Sequence, residues 1–276
     1  MMVEDIEKRM IQGRGLDGKE VSLALEANSR DVRTAIAQGL SSQPHSTFRY
    51  AADEFLRTCF NDLAWHGIAI HEIAYERERE NSGLKPPDDF QLIRVDPVST
   101  YRRWWGLGQL VQESSPVDRS EYDLPKHIPV QGDRFATYQL PGSVESPLRK
   151  AIEGLEGTAS HEVLSSFPPW ERSEVVQTGA YNLSEHDATR RAAIAAATKK
   201  VGWTGRGQFS QDVSGHYIMR RQLRFERYVA TLRNALLGHL NEILSEVGRK
   251  IGFDAKVNVE NVPQPSDFDR LEQELE

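Results

Sequence analysis

Hydrophobic residues recur at steps of three and four along residues 217–247, which is the pattern of one face of an α-helix. This face carries Ile218, Phe225, Val229, Leu232, Leu236, Leu240, Ile243 and Val247. The opposite face is crowded with arginine. A helix of this length reaches roughly 45 Å at 1.5 Å per residue, longer than the usual globular helix. We therefore expect it to span domains or subunits.

The same spacing predicts three further helices, over residues 46–66, 146–166 and 184–200. Gly67 ends the first of them, and Pro147 lies in the first turn of the second. Residues 1–45 contain several glycines, and we expect only short, peripheral helical pieces there.

Alternating and β-branched runs predict strands over residues 68–75, 90–95 and 255–260. Residues 99–142 hold several shorter strand candidates separated by Gly, Pro, Ser and Asp, which favour turns. The predicted fold class is α+β, with long helices and a small β-rich subdomain. Residues 202–215 are polar and rich in glycine, so a loop is expected before the long helix.

Composition limits the possible functions. The chain has 276 residues, five tryptophans and 38% hydrophobic residues, which is enough for a real core. Its net charge of -7 argues against general nucleic-acid binding, since affinity for phosphates comes from Lys and Arg. Cys59 is the only cysteine, which excludes an intrachain disulfide and a Cys-based zinc site. Because no apolar run resembles a signal peptide or a membrane span, we expect a soluble protein with no membrane partner.

Enzyme motifs give weak signals. The glycine clusters beginning at Gly13 and Gly202 follow no predicted strand and lack the Lys-Ser/Thr of a phosphate-binding loop. His66 and His71 do not have the i, i+4 spacing of two metal ligands on one helix. Cys59 lies on the apolar face of its helix, where burial would raise the pKa of its thiol and make it a poor nucleophile. The adjacent carboxylates Asp88 and Asp89 fit a solvated turn better than a pair that performs acid/base chemistry. No catalytic residue, metal or cofactor is predicted.

Two basic regions have more than one interpretation. The cluster Tyr101-Arg102-Arg103-Trp104-Trp105 can form a protein interface, a strand with one buried aromatic face, or a platform for nucleic-acid bases. A second zone surrounds the glycine-rich loop, and it is either a solvated surface or a weak contact to a phosphate backbone. Its members are Arg190, Arg191, Lys199, Lys200 and Arg206.

The segment FSQDV at residues 209–213, followed by RRQLRFERYVATLR at 220–233, resembles the long helix of portal proteins of tailed bacteriophages, especially contractile-tailed ones. The order of a leucine-rich continuation, a short strand at 257–259 and an acidic C-terminal helix is also similar to that family. DLAWHGIAIHEIA at 62–74 resembles the family's helix-Gly-strand step. LIRVDP at 92–97 resembles the strand that leads to its proline turn.

The resemblance implies a head-tail connector with wing, stem, clip and a reduced crown. Such a portal protein is a homo-oligomeric ring, typically a homododecamer, at one capsid vertex of the virion. Its partners are the major capsid protein, the terminase large subunit, a neck adaptor protein and double-stranded DNA that passes without sequence specificity. Its role is viral genome packaging, capsid assembly and DNA ejection, with assembly in the host cytoplasm.

Under this resemblance, residues 1–84 correspond to wing and stem helices, 85–145 to a clip-like subdomain, and 146–276 to stem helix, channel loop, long helix and acidic tail. The helix at 146–166 and the loop at 202–215 are expected to approach the channel. The candidate DNA-facing bases are Lys199, Lys200 and Arg206. The candidate subunit-interface residues are Arg220, Arg224, Phe225, Arg227, Arg233, Trp104 and Trp105.

Two other functional classes stay open from the sequence. One is an enzyme whose dispersed site has no readable motif. The other is a scaffold that uses the long helix as a dimerisation rod, although the helix lacks sustained heptads with charged e and g positions.

Overall fold

The computed structural model describes residues 1–11, 22–41, 47–76, 89–103, 106–110, 127–130, 132, 134–165, 183–205 and 215–274. Its described helices are α1 (Met2–Ile11), α2 (Arg30–Leu40), α3 (Phe48–His66), α4 (Gly142–Ser165), α5 (Leu183–Ala197), α6 (Gly215–Ile251) and α7 (Pro265–Glu274). The strands are β1 (Ser22–Ala27), β2 (Ala69–Glu76), β3 (Asp89–Arg94), β4 (Thr100–Arg103), β5 (Gly106–Leu110), β6 (His127–Pro129), β7 (Phe135–Tyr138) and β8 (Ala255–Glu260). This mixture confirms the α+β class.

Helix α6 is the predicted long helix, and it is longer than the sequence pattern indicated. It has 37 residues, which corresponds to about 55 Å. It ends where Gly252 adopts a φ of 94°, and the amide of Gly252 donates to the Gly248 carbonyl at 2.7 Å. Glycine tolerates this left-handed conformation, which satisfies carbonyls at the helix end.

Helix α3 ends as predicted and begins at Phe48, two residues after the predicted start. The Thr47 side chain caps its first turn by accepting from the Tyr50 amide, and Gly67, at a φ of 73°, donates its amide to the Leu63 carbonyl at 3.0 Å. One face of the helix is buried, and it includes Ala52, Phe55, Leu56, Cys59, Phe60 and Leu63. The buried-face prediction is confirmed.

The described chain divides into two compact units. Unit 1 contains residues 1–10, 141–233 and 263–276, and unit 2 contains residues 11–140 and 234–262. The first part of α6 therefore belongs to unit 1 and its second part to unit 2. These boundaries differ from those of the three predicted segments, whose assignment to wing, clip and stem remains a prediction.

Unit 2 contains three small antiparallel sheets. Strand β2 is central in the order β3-β2-β7, so that His71 lies opposite Arg94 on one side and Ala136 on the other. The other sheets have the orders β4-β5-β6 and β1-β8. A small cluster of Ile70, Val95 and Val130 forms part of the buried core.

The predicted β-rich subdomain is split between two of these sheets. Strands β4, β5 and β6 pair with one another, whereas β7 pairs with β2, far earlier in the chain. Turn residues identified the individual strands, but the pairing depends on contacts distant in sequence that local patterns do not encode.

Residues 1–45 differ from the sequence prediction. Residues 22–27, expected to be helical, form strand β1, in which Leu25 lies opposite Val257 of β8. This pairing partner lies far away in sequence, and tertiary pairing outweighs the weak local preference of a six-residue segment. Helix α1 is not peripheral either, because Ile6 and Met10 are buried. Gly39 lies within α2, where a Cβ atom would be 2.6 Å from the Phe90 ring.

In unit 1, helices α4 and α5 approach closely. A Cβ atom on Gly154 would lie 2.5 Å from the Cβ of Ala197, so the absence of a side chain permits the contact. Buried Tyr228 of α6 donates its hydroxyl to the Val144 carbonyl of α4 at 2.8 Å. Within the described residues, no helix is long and apolar enough to span a bilayer.

Candidate functional site

The turn that follows α5 carries two of the three predicted DNA-facing bases. Lys199 and Lys200 are exposed, whereas Thr198, Val201 and Trp203 beside them are buried. Arg206, the third predicted base, lies outside the described residues. The turn therefore exposes two lysines, while the residues beside them are buried in the interior of unit 1.

A single buried arginine from α6 holds this turn. The guanidinium of Arg221 is part of a side chain that is only 3% exposed. It donates to the Ala195 carbonyl at 2.8 Å, to the Thr198 hydroxyl at 2.7 Å and to the Trp203 carbonyl at 2.8 Å. A fourth contact, at 3.2 Å, reaches the hydroxyl of Tyr217 one turn earlier on α6. Carbonyls at a helix C-terminus lack intrahelical donors, and a cation also interacts favourably with the helix dipole there.

Two further contacts fix the turn. Gly202 has a φ of 83°, and a Cβ atom there would lie 2.6 Å from both the Arg221 carbonyl oxygen and the Phe225 amide nitrogen of α6. The Trp203 indole donates to the Asp5 carboxylate of α1 at 3.0 Å. A glycine at residue 202 is required both by the backbone conformation and by the space available.

The arginine face of α6, which we define as Arg224 and Arg227, contacts the acidic helix α7. Arg224 pairs with Glu272 at 3.3 Å, and Arg227 pairs with Asp269 at 2.5 Å. Both arginines keep 40–45% of their side-chain surface exposed. Nearby Arg220 is half-buried. These three residues were predicted at a subunit interface, and that role stays a prediction.

Phe225 and Arg233 occupy the interior of unit 1. Their exposed fractions are 7% and 4%, so one chain accounts for their burial without a second subunit. Arg233 donates to the Pro263 carbonyl at 3.2 Å, and burial lowers its pKa to about 10, with Glu226 opposing the shift. Their role at a subunit interface remains a prediction. Trp104 and Trp105 lie outside the described residues.

Unit 2 contains a buried group of titratable side chains that the sequence did not connect. The ring of His239 stacks on Tyr138 with 4.4 Å between centroids, and His71 lies 4.8 Å from Phe55. Both histidines are at most 4% exposed. His71 Nδ1 and His239 Nε2 have no hydrogen-bond partner among the described residues.

Electrostatics keep this group neutral. Burial lowers the pKa of His71 to about 4, with a smaller contribution from the positive charge of Arg94. Burial also lowers the pKa of His239 to about 4, with a smaller contribution from His71. Burial and the nearby Asp62 carboxylate raise the pKa of Cys59 to about 12. A nucleophilic Cys-His pair requires a thiolate and an imidazolium. Here the opposite protonation states are favoured, so the group fits a packed core better than covalent catalysis.

Asp62 is a buried carboxylate on α3 that the sequence analysis did not single out. Its exposed fraction is 1%, and it accepts two hydrogen bonds from Arg94 of β3, at 2.5 and 2.9 Å. The bond to Asp62 also raises the pKa of Arg94. This bidentate pair ties α3 to the sheet and explains why a charge lies on the buried face of the helix.

The other sequence candidates are accounted for individually. His66 is exposed at the end of α3, and Asp89 accepts from the Phe90 amide at 2.8 Å at the start of β3. Asp88 and the glycine cluster beginning at Gly13 lie outside the described residues. Among the described residues, no group of three or more His, Cys, Asp or Glu side chains could hold a metal ion.

Arg221 and His239 were not predicted as functional residues, and Arg233 was predicted only at a subunit interface, because polar residues do not count in an apolar pattern. A signal was present, since all three fall among the apolar positions of α6. A polar residue on the buried face of a helix needs a specific partner.

The chain matches no protein-family model and none of the curated proteins with which it was compared.

Proposed function

We propose that this chain is a portal protein, a ring-forming component of a phage capsid vertex through which double-stranded DNA enters and leaves. The observation that carries the proposal is the continuous α6, followed by strand β8 and the acidic helix α7. This order is the one implied by the resemblance of residues 209–259 to the portal family.

The exposed turn after α5 supplies the DNA-facing element of the proposal. Lys199 and Lys200 project from a turn whose buried base is held by Arg221, Gly202 and Trp203. A net charge of -7 limits total phosphate affinity, because each neutralised phosphate strengthens binding. A few positioned cations on an acidic protein suit DNA that must slide rather than stay bound.

The burial pattern of α6 disfavours the dimerisation rod. Its apolar stripe is used inside the chain, where Leu232, Leu236 and Leu240 are all 0% exposed. A rod that dimerises through this stripe would have to expose the core first. The proposal instead places neighbouring copies against other surfaces, with the terminase large subunit, a neck adaptor and the major capsid protein as further partners.

The test is DNA packaging into capsid shells assembled with this chain, measured as nuclease-protected DNA. The variant is Lys199→Gln with Lys200→Gln and Arg206→Gln. The matched control neutralises exposed cations elsewhere, as Lys150→Gln with Lys256→Gln and Arg249→Gln. We expect the first triple variant to form normal rings and to change packaged or retained DNA, while the control behaves as the parent chain. Equal packaging by both variants would remove these bases from the channel.

A further inference from the structure

The two buried histidines of unit 2 share one face of the sheet β3-β2-β7. His71 of β2 lies opposite Ala136 of β7, and Tyr138 lies two residues further along β7. Alternate residues of a strand point to the same face, so Tyr138 is a diagonal neighbour of His71. The ring of His239 stacks on Tyr138, with 4.4 Å between centroids and 13° between planes. Helix α6 therefore brings His239 to the face that carries His71.

Tyr138 joins this face of the sheet to α6 through two groups. Its ring contacts His239, and its hydroxyl donates to the Ala235 carbonyl at 3.1 Å. Residues 235 and 239 are four apart, so both contacts lie on one side of the helix. They belong to residues 234–251, the part of α6 that lies in unit 2, which we call the C-terminal part of α6.

Each histidine has one ring nitrogen without a hydrogen-bond partner. Among the described residues, nothing donates to or accepts from His71 Nδ1 or His239 Nε2. A neutral imidazole has one donor and one acceptor nitrogen, whereas a protonated imidazole has two donors. While the rings are buried, a proton added to either one produces a cation with an N–H group that has no acceptor. Water supplies that acceptor once the ring is exposed.

The charges around the rings do not compensate such a cation. The titratable or charged groups there are Cys59 and Asp62 of α3, Arg94 of β3, Tyr138 of β7 and Glu242 of α6. Asp62 already accepts two hydrogen bonds from Arg94, and Glu242 is exposed. Burial raises the pKa of Cys59 to about 12 and raises the pKa of Tyr138, so neither side chain supplies a negative charge.

We propose that His71 and His239 form a proton-sensitive contact that holds the C-terminal part of α6 on the sheet while both rings are neutral and loosens it when the rings bind protons. Proton uptake favours the open form because the imidazolium is solvated only there. Because the pKa of each ring is about 4 when buried and 6.5 when exposed, the contact weakens as the pH falls from 6.5 towards 4. The inference goes beyond the proposed function and does not depend on it.

Hydrogen exchange of the full chain, followed by mass spectrometry of peptides from residues 234–251 and 221–232, measures this opening. Protection factors are compared between pH 7.5 and pH 5, because they remove the effect of pH on the exchange chemistry itself. A ring with a pKa of about 4 when closed and 6.5 when open should lower the protection of residues 234–251 roughly 30-fold over this range. Two such rings should lower it several hundredfold. Protection of residues 221–232, in unit 1, should fall less.

The parent chain gives a decisive result without any substitution. Protection of residues 234–251 that does not change with pH overturns the proposal, because no proton uptake is then linked to opening. A parallel fall in residues 221–232 also overturns it, because the chain then unfolds as a whole. A variant that fails to fold leaves this comparison intact.

Two substitutions assign the effect to the two rings. His71→Gln and His239→Gln keep a polar side chain that does not titrate, and each should reduce the pH-dependent loss of protection roughly 30-fold. His66→Gln and His216→Gln are the matched controls, since they replace exposed histidines of α3 and α6, and they should keep the full loss. A purely structural role changes protection equally at both pH values. An unchanged pH dependence in His71→Gln and His239→Gln therefore overturns the proposal.

Discussion

Replacing Arg221 with methionine should loosen the turn that carries Lys199 and Lys200. The arginine donates to two carbonyls and a hydroxyl in the interior of unit 1, at 2.7–2.8 Å. Methionine fills a similar volume but donates no hydrogen bond. The substitution therefore removes donors from buried acceptors without opening a large cavity.

The size of the effect depends on which acceptors keep another donor. The Thr198 hydroxyl lies 2.9 Å from the Trp203 carbonyl and can still donate to it after the substitution. The Ala195 carbonyl loses its arginine donor, and one buried unsatisfied group costs about 1–3 kcal/mol. Adding the charge-assisted character of the lost bonds, we expect a loss of about 2–3 kcal/mol in local stability.

Hydrogen exchange at two amides measures this loss directly. The Thr198 amide donates to Ile194 and the Gly202 amide to Thr198, so both report on opening of the turn. A loss of about 2–3 kcal/mol corresponds to roughly 30- to 150-fold faster exchange. Arg221→Lys should give a smaller loss, since lysine keeps the charge but cannot form the same fork.

Arg249→Met is the control, because Arg249 is exposed in the last turn of the same helix. It should leave exchange at both amides unchanged. The reasoning is refuted if Arg221→Met accelerates exchange at these amides less than about threefold, or if Arg249→Met has an equal effect.

Three further predictions concern the buried groups. Because the folded pKa of His71 and of His239, about 4, lies below the ordinary 6.5, both contribute stability above pH 6.5 that is lost as the pH falls towards 4. Urea unfolding of the full chain at different pH values should show a loss of roughly 3 kcal/mol per histidine at most. His239→Gln should flatten this pH dependence, exposed His66→Gln should not, and equal pH dependence in all three proteins would refute the assignment. Cys59, with a pKa raised to about 12, should resist a thiol reagent at pH 8 and react only after unfolding; rapid labelling of the folded protein would contradict its burial. Gly202→Ala should lower the stability of the protein by about 1–2 kcal/mol or more, because residue 202 has a left-handed backbone and α6 approaches it closely. The control Gly157→Ala should not, since the space around its Cβ position is open. Equal melting curves for the two variants would refute the strain at residue 202.

Much of the helical framework could be predicted from the sequence because it depends on local periodicity and capping. The spacing of Phe55, Cys59 and Leu63 identified α3, and Gly67 identified its end. The strand pattern at 255–260 identified β8, but nothing local identified β1 as its partner. That pairing joins segments more than two hundred residues apart, and local propensity contains no information on it.

The candidate site was only partly predictable for a related reason. The exposure of Lys199 and Lys200 could be predicted, because they are charged residues at the end of a predicted helix. Their support by Arg221 depends on three-dimensional contacts between α5 and α6, which a linear pattern does not reveal. The position of Arg221 among the apolar residues of α6 distinguishes it from Arg227 and indicates burial, but its hydrogen-bond partners on α5 could not be predicted.

The number of copies in one particle tests the central claim most directly. Negative-stain images and native mass spectrometry of the purified full chain give both the symmetry and the mass. The account predicts a closed ring around a central channel, with a mass near 376 kDa if twelve copies of 31.3 kDa assemble. Monomers or two-fold dimers at micromolar concentration would contradict it.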